Sequence, residues 1–295
     1  MADLRPMEFG EILDGALSLF RRHFRLFLKL SLTVMWLPIA ILLYWRIRFL
    51  GLQGTPEQAA ALLMADIVPF VLWIVVFAVI YGFGVLLLTA GSIRIISDSY
   101  LGREPKFADA LAFGFSKIVP LFLVGVGKSL LLMLVIILGS VVIGMSVALA
   151  RVLGVGIAIL ITLTSFVGTC WLVLFVASGY MVTTPVVVLE SLPSAFDSFA
   201  RSWELTREAK RKVFGLVFVG YLLASLLPSI VLSVLGELVK EVAPAGLLPW
   251  TVVSAAVPIF LAPMIPCILT LAYYDLRVRR EGFDLQLLGE QLGIS

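Results

Sequence analysis

The chain has one histidine, two cysteines and no asparagine, an inventory too thin for most side-chain chemistry. His23, the lone histidine, stands beside Arg22 where an amphipathic stretch meets an apolar one, a place for a structural role. Cys170 and Cys267 both fall in apolar runs, which gives neither a disulfide framework nor metal-ligand spacing. Charged residues make up only 14% of the chain. The carboxylates cluster between the apolar runs in registers that amphipathicity explains, and none lies in the middle of a run. The expectation is a protein that is not an enzyme and holds no metal or cofactor.

What the chain has in quantity is apolar sequence, 61% of it, too much for a soluble domain of this size. Six long runs carry it: Phe24–Tyr44, Ile67–Ala90, Ile118–Leu149, Val152–Leu189, Val213–Leu235 and Leu248–Tyr274. Each reaches the roughly 20 residues that a hydrocarbon core requires. The expected fold is all-α, a polytopic helical membrane protein with six transmembrane helices. Three prolines in the last run (Pro258, Pro263, Pro266), with Pro228 and Pro185 in the fifth and fourth, predict bent or broken helices there.

The basic residues fall on alternate sides of these runs. Seventeen of the 22 lie on one side: Arg5, Arg21, Arg22, Arg25 and Lys29; Arg94, Arg103, Lys106 and Lys117; Arg201, Arg207, Lys210, Arg211 and Lys212; Arg277, Arg279 and Arg280. The other side has Arg46, Arg48, Arg151 and Lys240. The positive-inside rule then predicts a cytoplasmic (inner) membrane location with both termini cytoplasmic. The N-terminus has no small-residue cleavage site after the first run, so a retained anchor is expected. A net charge of +3 needs no nucleic acid to explain it. Anionic lipid headgroups on the cytoplasmic face are the expected partners, together with a membrane-protein partner or a second copy of the chain.

An amphipathic stretch precedes each odd-numbered run. In the first, Phe9, Ile12, Leu13, Ala16, Phe20 and Phe27 share an arc opposite Glu11, Asp14, Ser18, Arg21, Arg22 and Arg25. Phe107, Ala110, Leu111, Gly114, Ile118 and Phe122 repeat those offsets, and so do Leu192, Ala195, Phe196, Phe199 and Trp203. This reads as a single membrane domain over 1–295 with three hairpin repeats at about 7–93, 103–189 and 190–275. Cytoplasmic interfacial helices brace the hairpins, and a C-terminal interfacial helix over 282–292 closes the domain. Bracing is the bland reading of these helices, and a docking collar for a partner is the sharp one.

Gly125-Val126-Gly127-Lys128-Ser129 looks like the end of a phosphate-binding loop, but Phe122 replaces its first glycine and the stretch is inside an apolar run. Lys128 is then the one basic residue within a run. Either it snorkels to the headgroups, or it lines a wet cavity. Ser140, Gly144 and Ala148 form a small-residue face suited to close helix contact. Thr55-Pro56-Glu57-Gln58 reads as a capping box on the outer side. Tyr273, Tyr274, Asp275, Arg277 and Arg280 combine interface aromatics with paired charges; they anchor the last helix or receive a lipid headgroup.

Three segments resemble a known family. These are Leu4-Arg5-Pro6-Met7-Glu8-Phe9-Gly10-Glu11-Ile12-Leu13-Asp14, Pro185–Glu190 with Arg201–Thr206, and Tyr273–Asp284. They resemble an uncharacterised bacterial and archaeal membrane family related to the membrane domain attached to some glycerophosphoryl diester phosphodiesterases. The resemblance implies a six-span helical protein with no established activity. It does not imply the phosphodiesterase reaction, which belongs to a separate soluble barrel with paired histidines. The function expected is that of a non-enzymatic scaffold or subunit of a membrane complex. The alternative is a transporter or channel for a lipid-like or small solute, with Lys128 on its path.

Overall fold

The computed structural model describes residues 5–50, 67–242 and 247–283. The outer capping box at Thr55–Gln58 and most of the C-terminal stretch over 282–292 lie outside the described residues. What is described is helical and contains no strand. The helices are α1 (Phe9–Arg22), α2 (Phe24–Leu50), α3 (Ile67–Tyr100), α4 (Phe107–Ser116), α5 (Ile118–Leu153), α6 (Val155–Gly179), α7 (Thr183–Leu189), α8 (Asp197–Thr206), α9 (Lys210–Tyr221), α10 (Leu227–Val242), α11 (Leu247–Leu261) and α12 (Met264–Glu281). Six stretches are long and apolar enough to cross a membrane: Phe24–Tyr44, Val71–Tyr100, Ile118–Ala148, Ile159–Leu189, Lys210–Val242 and Pro249–Glu281. The chain is thus a multi-pass membrane protein by length and composition of its helices.

Two spans outrun their apolar sequence. The second continues past Ala90 to Tyr100, and the sixth past Tyr274 to Glu281. Pairs at i,i+4 support these polar extensions: Arg94 with Asp98 at 3.0 Å, Asp275 with Arg279 at 3.0 Å and Arg277 with Glu281 at 2.9 Å. Gly102, with φ +76, then stops α3. The Arg103 N–H reaches the Asp98 carbonyl (2.7 Å) and the Gly102 N–H reaches Ser99 (3.2 Å), a Schellman ending. Gly282, with φ +59, stops α12 in a similar place.

Proline breaks the later spans. In the sixth, α11 ends at Leu261 and α12 begins at Met264, with Pro263 between them and Pro266 in the first turn of α12. A first turn tolerates a residue with no N–H, since that donor would have no helical partner. In the fifth, a π-helical segment over Leu222–Leu226 ends two residues before Pro228. The widened turn absorbs the bond that Pro228 cannot make. In the fourth, α6 ends at Gly179, and Pro185 lies in the short α7.

The chain forms two compact units. Unit 1 takes in Glu8–Ile118 and Val217–Leu271; unit 2 takes in 5–7, Val119–Leu216 and 272–283. The boundaries fall within α5, α9 and α12.

Unit 1 is built by close helix approach. A Cβ on Gly91 of α3 would lie 2.9 Å from Leu30 Cδ2 of α2 and 3.3 Å from the Ala110 carbonyl of α4. One on Gly114 of α4 would lie 3.2 Å from the Leu87 carbonyl of α3. Small residues let these backbones meet, as in membrane helix pairs generally. The later half of α3 is accordingly sealed, with Leu88, Ala90, Ile93, Ile95 and Ile96 buried. Its earlier half exposes Val68, Leu72, Val75, Val79 and Phe83, an apolar surface suited to the interior of a membrane. In α1, Ile12, Ala16 and Phe20 are buried, and Phe20 stacks on Phe27 at 5.5 Å.

Unit 2 is sparser along its spans. Leu130, Met133, Leu134, Leu138 and Met145 of α5 are exposed, as are Ile159, Leu163, Phe166 and Trp171 of α6. The two helices meet where Gly139 faces Thr169 and where Ser146 and Ser165 share a 3.3 Å hydrogen bond. Gly139 and Ser146 make this contact; the expected Ser140–Gly144–Ala148 face is exposed, with nothing within 4 Å of a Cβ on Gly144. Both sets are small residues, and spacing alone does not say which one a neighbour touches.

The third amphipathic stretch also differs from expectation. Helix α8 begins at Asp197, so Leu192, Ala195 and Phe196 precede it. The Asp197 carboxylate accepts the Ser194 N–H at 3.0 Å, and Ser194 Oγ accepts the Phe196 N–H at 3.2 Å. This local bonding holds the chain in a turn ahead of the helix. The buried face of α8 is Ser198, Ser202, Leu205 and Thr206. Ser202 and Thr206 hydroxyls donate to the Gly179 carbonyl at 2.9 and 3.1 Å, capping the end of α6. Gly179 has no room for a side chain because Trp203 lies against it.

Candidate functional site

The charged residues of unit 2 gather where α12 leaves its apolar sequence. Tyr273, Arg277 and Glu281 stand four residues apart on α12, so they share one face. Glu190 follows α7, and Arg201 lies on α8. Together the five side chains close a ring. Tyr273 donates its hydroxyl proton to Glu190 Oε1 at 2.9 Å, and Arg201 Nε donates to Glu190 Oε2 at 3.1 Å. Arg201 Nη2 pairs with Glu281 Oε1, and Arg277 Nε donates to Glu281 Oε2 at 2.9 Å. Arg277 Nη1 returns to the Tyr273 hydroxyl at 3.4 Å. Two carboxylates and two guanidiniums make the ring neutral.

Burial works against the charge of Arg201. Hydrogen bonding and charge from Glu190, then from Glu281, outweigh it and hold the guanidinium above the ordinary arginine value.

A second constellation lies on the opposite side of the same helix. Asp275 is 1% exposed, and its carboxylate accepts from Lys212 Nζ at 2.6 Å and from Arg279 Nε at 3.0 Å. The Met7 backbone completes the cluster. Its N–H donates to Asp275 Oδ1 at 2.7 Å, while its carbonyl accepts from Lys212 Nζ at 2.6 Å and Arg279 Nη2 at 2.7 Å. A buried carboxylate with two cations and a backbone amide meets the usual requirement that buried charge be paired and hydrogen-bonded.

A third feature is aromatic. Lys210 Nζ lies 3.3 Å from the Trp203 ring centroid and 3.6 Å from that of Phe175. Tyr180 packs on Trp203 and Phe199 at 5.4 and 5.3 Å. These contacts tie the start of α9 to the ends of α6 and α8.

Of the residues singled out from sequence, Tyr273 and Arg277 belong to the ring and Asp275 to the clamp. Tyr274 is buried and stacks on Phe283 at 5.8 Å. Arg280 lies 3.0 Å from Glu208. Lys128 is not brought to this cluster. It sits half-buried in α5, beside Gly127 and its neighbours Phe199 and Phe196, with no ion pair among the described residues. Glu190, Arg201, Lys212, Arg279, Glu281 and the Met7 backbone were not foreseen as site residues. The four-residue spacings of Tyr273–Arg277–Glu281 and Asp275–Arg279 were the available signal; the partners from other elements leave none.

Unit 1 carries simpler polar contacts. His23, at the elbow between α1 and α2, meets Ser99 Oγ through Nε2 at 2.8 Å. Burial, and then the charge of Arg22, push its pKa below the ordinary histidine value. Lys29 lies 4.5 Å from the Phe107 ring centroid. Among the described residues no group of three His, Cys, Asp or Glu side chains could hold a metal ion.

Comparison of the chain with known proteins finds no matching family model, no matching curated protein and no matching solved structure.

Proposed function

We propose that this chain is a non-enzymatic scaffold or subunit of a complex in the cytoplasmic membrane, with its termini and charged clusters on the cytoplasmic side. The observation that carries this reading is the state of the charged residues in unit 2. Two carboxylates and two guanidiniums of the ring are spent on one another, and ring and clamp together join α7, α8, α9 and α12 to the N-terminal segment. A catalytic or conducting site keeps its groups available to a substrate, whereas those of the ring hold the chain to itself. The basic bias of the same side supports the orientation. The resemblance to the membrane domain found beside glycerophosphodiester hydrolases favours the same reading, since that domain carries no established activity.

Native mass spectrometry of the protein released from its membrane with the surrounding lipid tests this. A second protein in fixed stoichiometry, or a fixed number of copies of this chain, is expected. A lone monomer that hydrolyses glycerophosphodiesters or moves a solute across vesicles would overturn it. The transporter reading has one observation in its favour, the lysine in the third span with no ionic partner among the described residues. Under it, Lys128→Leu abolishes flux and leaves expression intact; under ours, there is no flux to lose.

A further inference from the structure

Two cations converge on one neutral atom in the clamp. Lys212 Nζ and Arg279 Nη2 donate to the Met7 carbonyl at 2.6 and 2.7 Å, and both also bond Asp275. The cluster therefore holds two positive charges against one negative. An ammonium has three donors and a guanidinium has five. The contacts above use two of Lys212's and two of Arg279's, and neither residue has another partner among the described residues. Arg279's side chain is 42% exposed, so its spare donors are within reach of solvent or headgroups. A peptide carbonyl is a weak acceptor for such a pair; an anionic oxygen makes charge-assisted bonds about twice as strong, and guanidinium matches a phosphate in two-point geometry.

We infer that Lys212 and Arg279 form a binding site for a phosphate monoester or free phosphate, and that the N-terminal strap at Arg5–Met7 occupies that site through the Met7 carbonyl when the ligand is absent. Phosphate oxygens replace the carbonyl, take up the spare donors and release the strap. Asp275 stays in place as the counter-charge that fixes both cations. The inference rests on the membrane reading for the source of the ligand: the site lies at the charged end of the last span, at the level where lipid phosphates are found. Phosphatidic acid and free phosphate share the recognised chemistry.

The test uses the full chain in lipid nanodiscs, with hydrogen exchange at the Met7 amide as readout, since that N–H is bound to Asp275 only while the strap is seated. Replacing phosphatidylcholine by a mixture containing phosphatidic acid should raise Met7 exchange at least about tenfold, the effect of losing a hydrogen bond to a charged group. Millimolar inorganic phosphate added to phosphatidylcholine discs forms the second arm. Release by phosphate in that arm assigns the site to a soluble ligand, and release only by phosphatidic acid assigns it to lipid.

Two variants guard the result. Met7→Pro removes the amide donor and weakens the strap, so binding of phosphatidic acid, counted by native mass spectrometry, should tighten several-fold. Arg279→Gln should weaken it by about tenfold. Unchanged Met7 exchange in both arms overturns the inference, as does equal lipid binding by the wild type and both variants. A chain that does not incorporate into nanodiscs at all would instead overturn the membrane reading.

Discussion

Units 1 and 2 solve the same problem in different ways. In unit 1, helices meet through glycine and alanine, and a Cβ on Gly91 or Gly114 would press on Leu30 of α2 or on the Leu87 carbonyl of α3. Polar contacts there are single pairs, such as His23 with Ser99 and Arg94 with Asp98. In unit 2 the pieces to be joined are short: α7 has seven residues and α8 has ten. Short helices bury little apolar area and cannot interlock along their length. Charge takes over the task, in a ring and a clamp that gather five chain segments. Unit 1 joins its helices by close packing, and unit 2 ties the ends of α7 and α8 to α12 by ion networks.

The largest effect is expected at the clamp. Asp275→Ala leaves Lys212 and Arg279 without their counter-charge and the Met7 amide without an acceptor. Breaking a buried pair in this way costs about 3–5 kcal/mol, read as lost thermal stability and a loosened N-terminus in detergent. A loss confined to a few tenths would place Asp275 outside the forces that hold unit 2. In unit 1, Gly114→Val should cost roughly 1–3 kcal/mol through overpacking against the Leu87 carbonyl; a neutral outcome would mean that α3 and α4 are not in close contact.

Tyr273→Phe removes one hydroxyl from the ring and leaves Glu190 its bond to Arg201. A loss of about 1–1.5 kcal/mol is expected, by thermal unfolding of both proteins in the same lipid. The smallest effect belongs to His23. Its folded pKa lies below the unfolded value, so the unfolded chain takes up the proton first as pH falls. Stability is therefore fully present above the unfolded histidine value, is lost as pH drops toward the folded one, and falls no further below it. His23→Gln should flatten this acid limb. A variant with the same pH profile as the wild type would remove His23 from the account.

Much of this fold was legible in the sequence. The six spans follow from apolar run length, and most of their starts are where the runs begin. Their ends are harder to read, because hydropathy stops at Ala90 and Tyr274 while i,i+4 ion pairs carry the helices to Tyr100 and Glu281. The breaks were foreshadowed by Pro185, Pro228 and Pro263. The buried hydroxyl face of α8 was not, since Ser198, Ser202 and Thr206 look like a solvent face until the Gly179 carbonyl is placed against them. Three of the ring's five side chains were visible as spacing along α12. Glu190, Arg201 and Lys212 come from distant parts of the chain, and no local pattern pairs them with α12.

Charge in unit 2 acts as a lock between short elements. A double-mutant cycle on Glu190 and Arg201 tests it most directly, with Glu190→Gln, Arg201→Gln and the pair compared by unfolding in a single lipid composition. The account predicts a coupling of roughly 1–3 kcal/mol, as for residues within one ionic network. Additive effects, with coupling under about 0.3 kcal/mol, would contradict it and leave the ring as a set of surface ion pairs worth little.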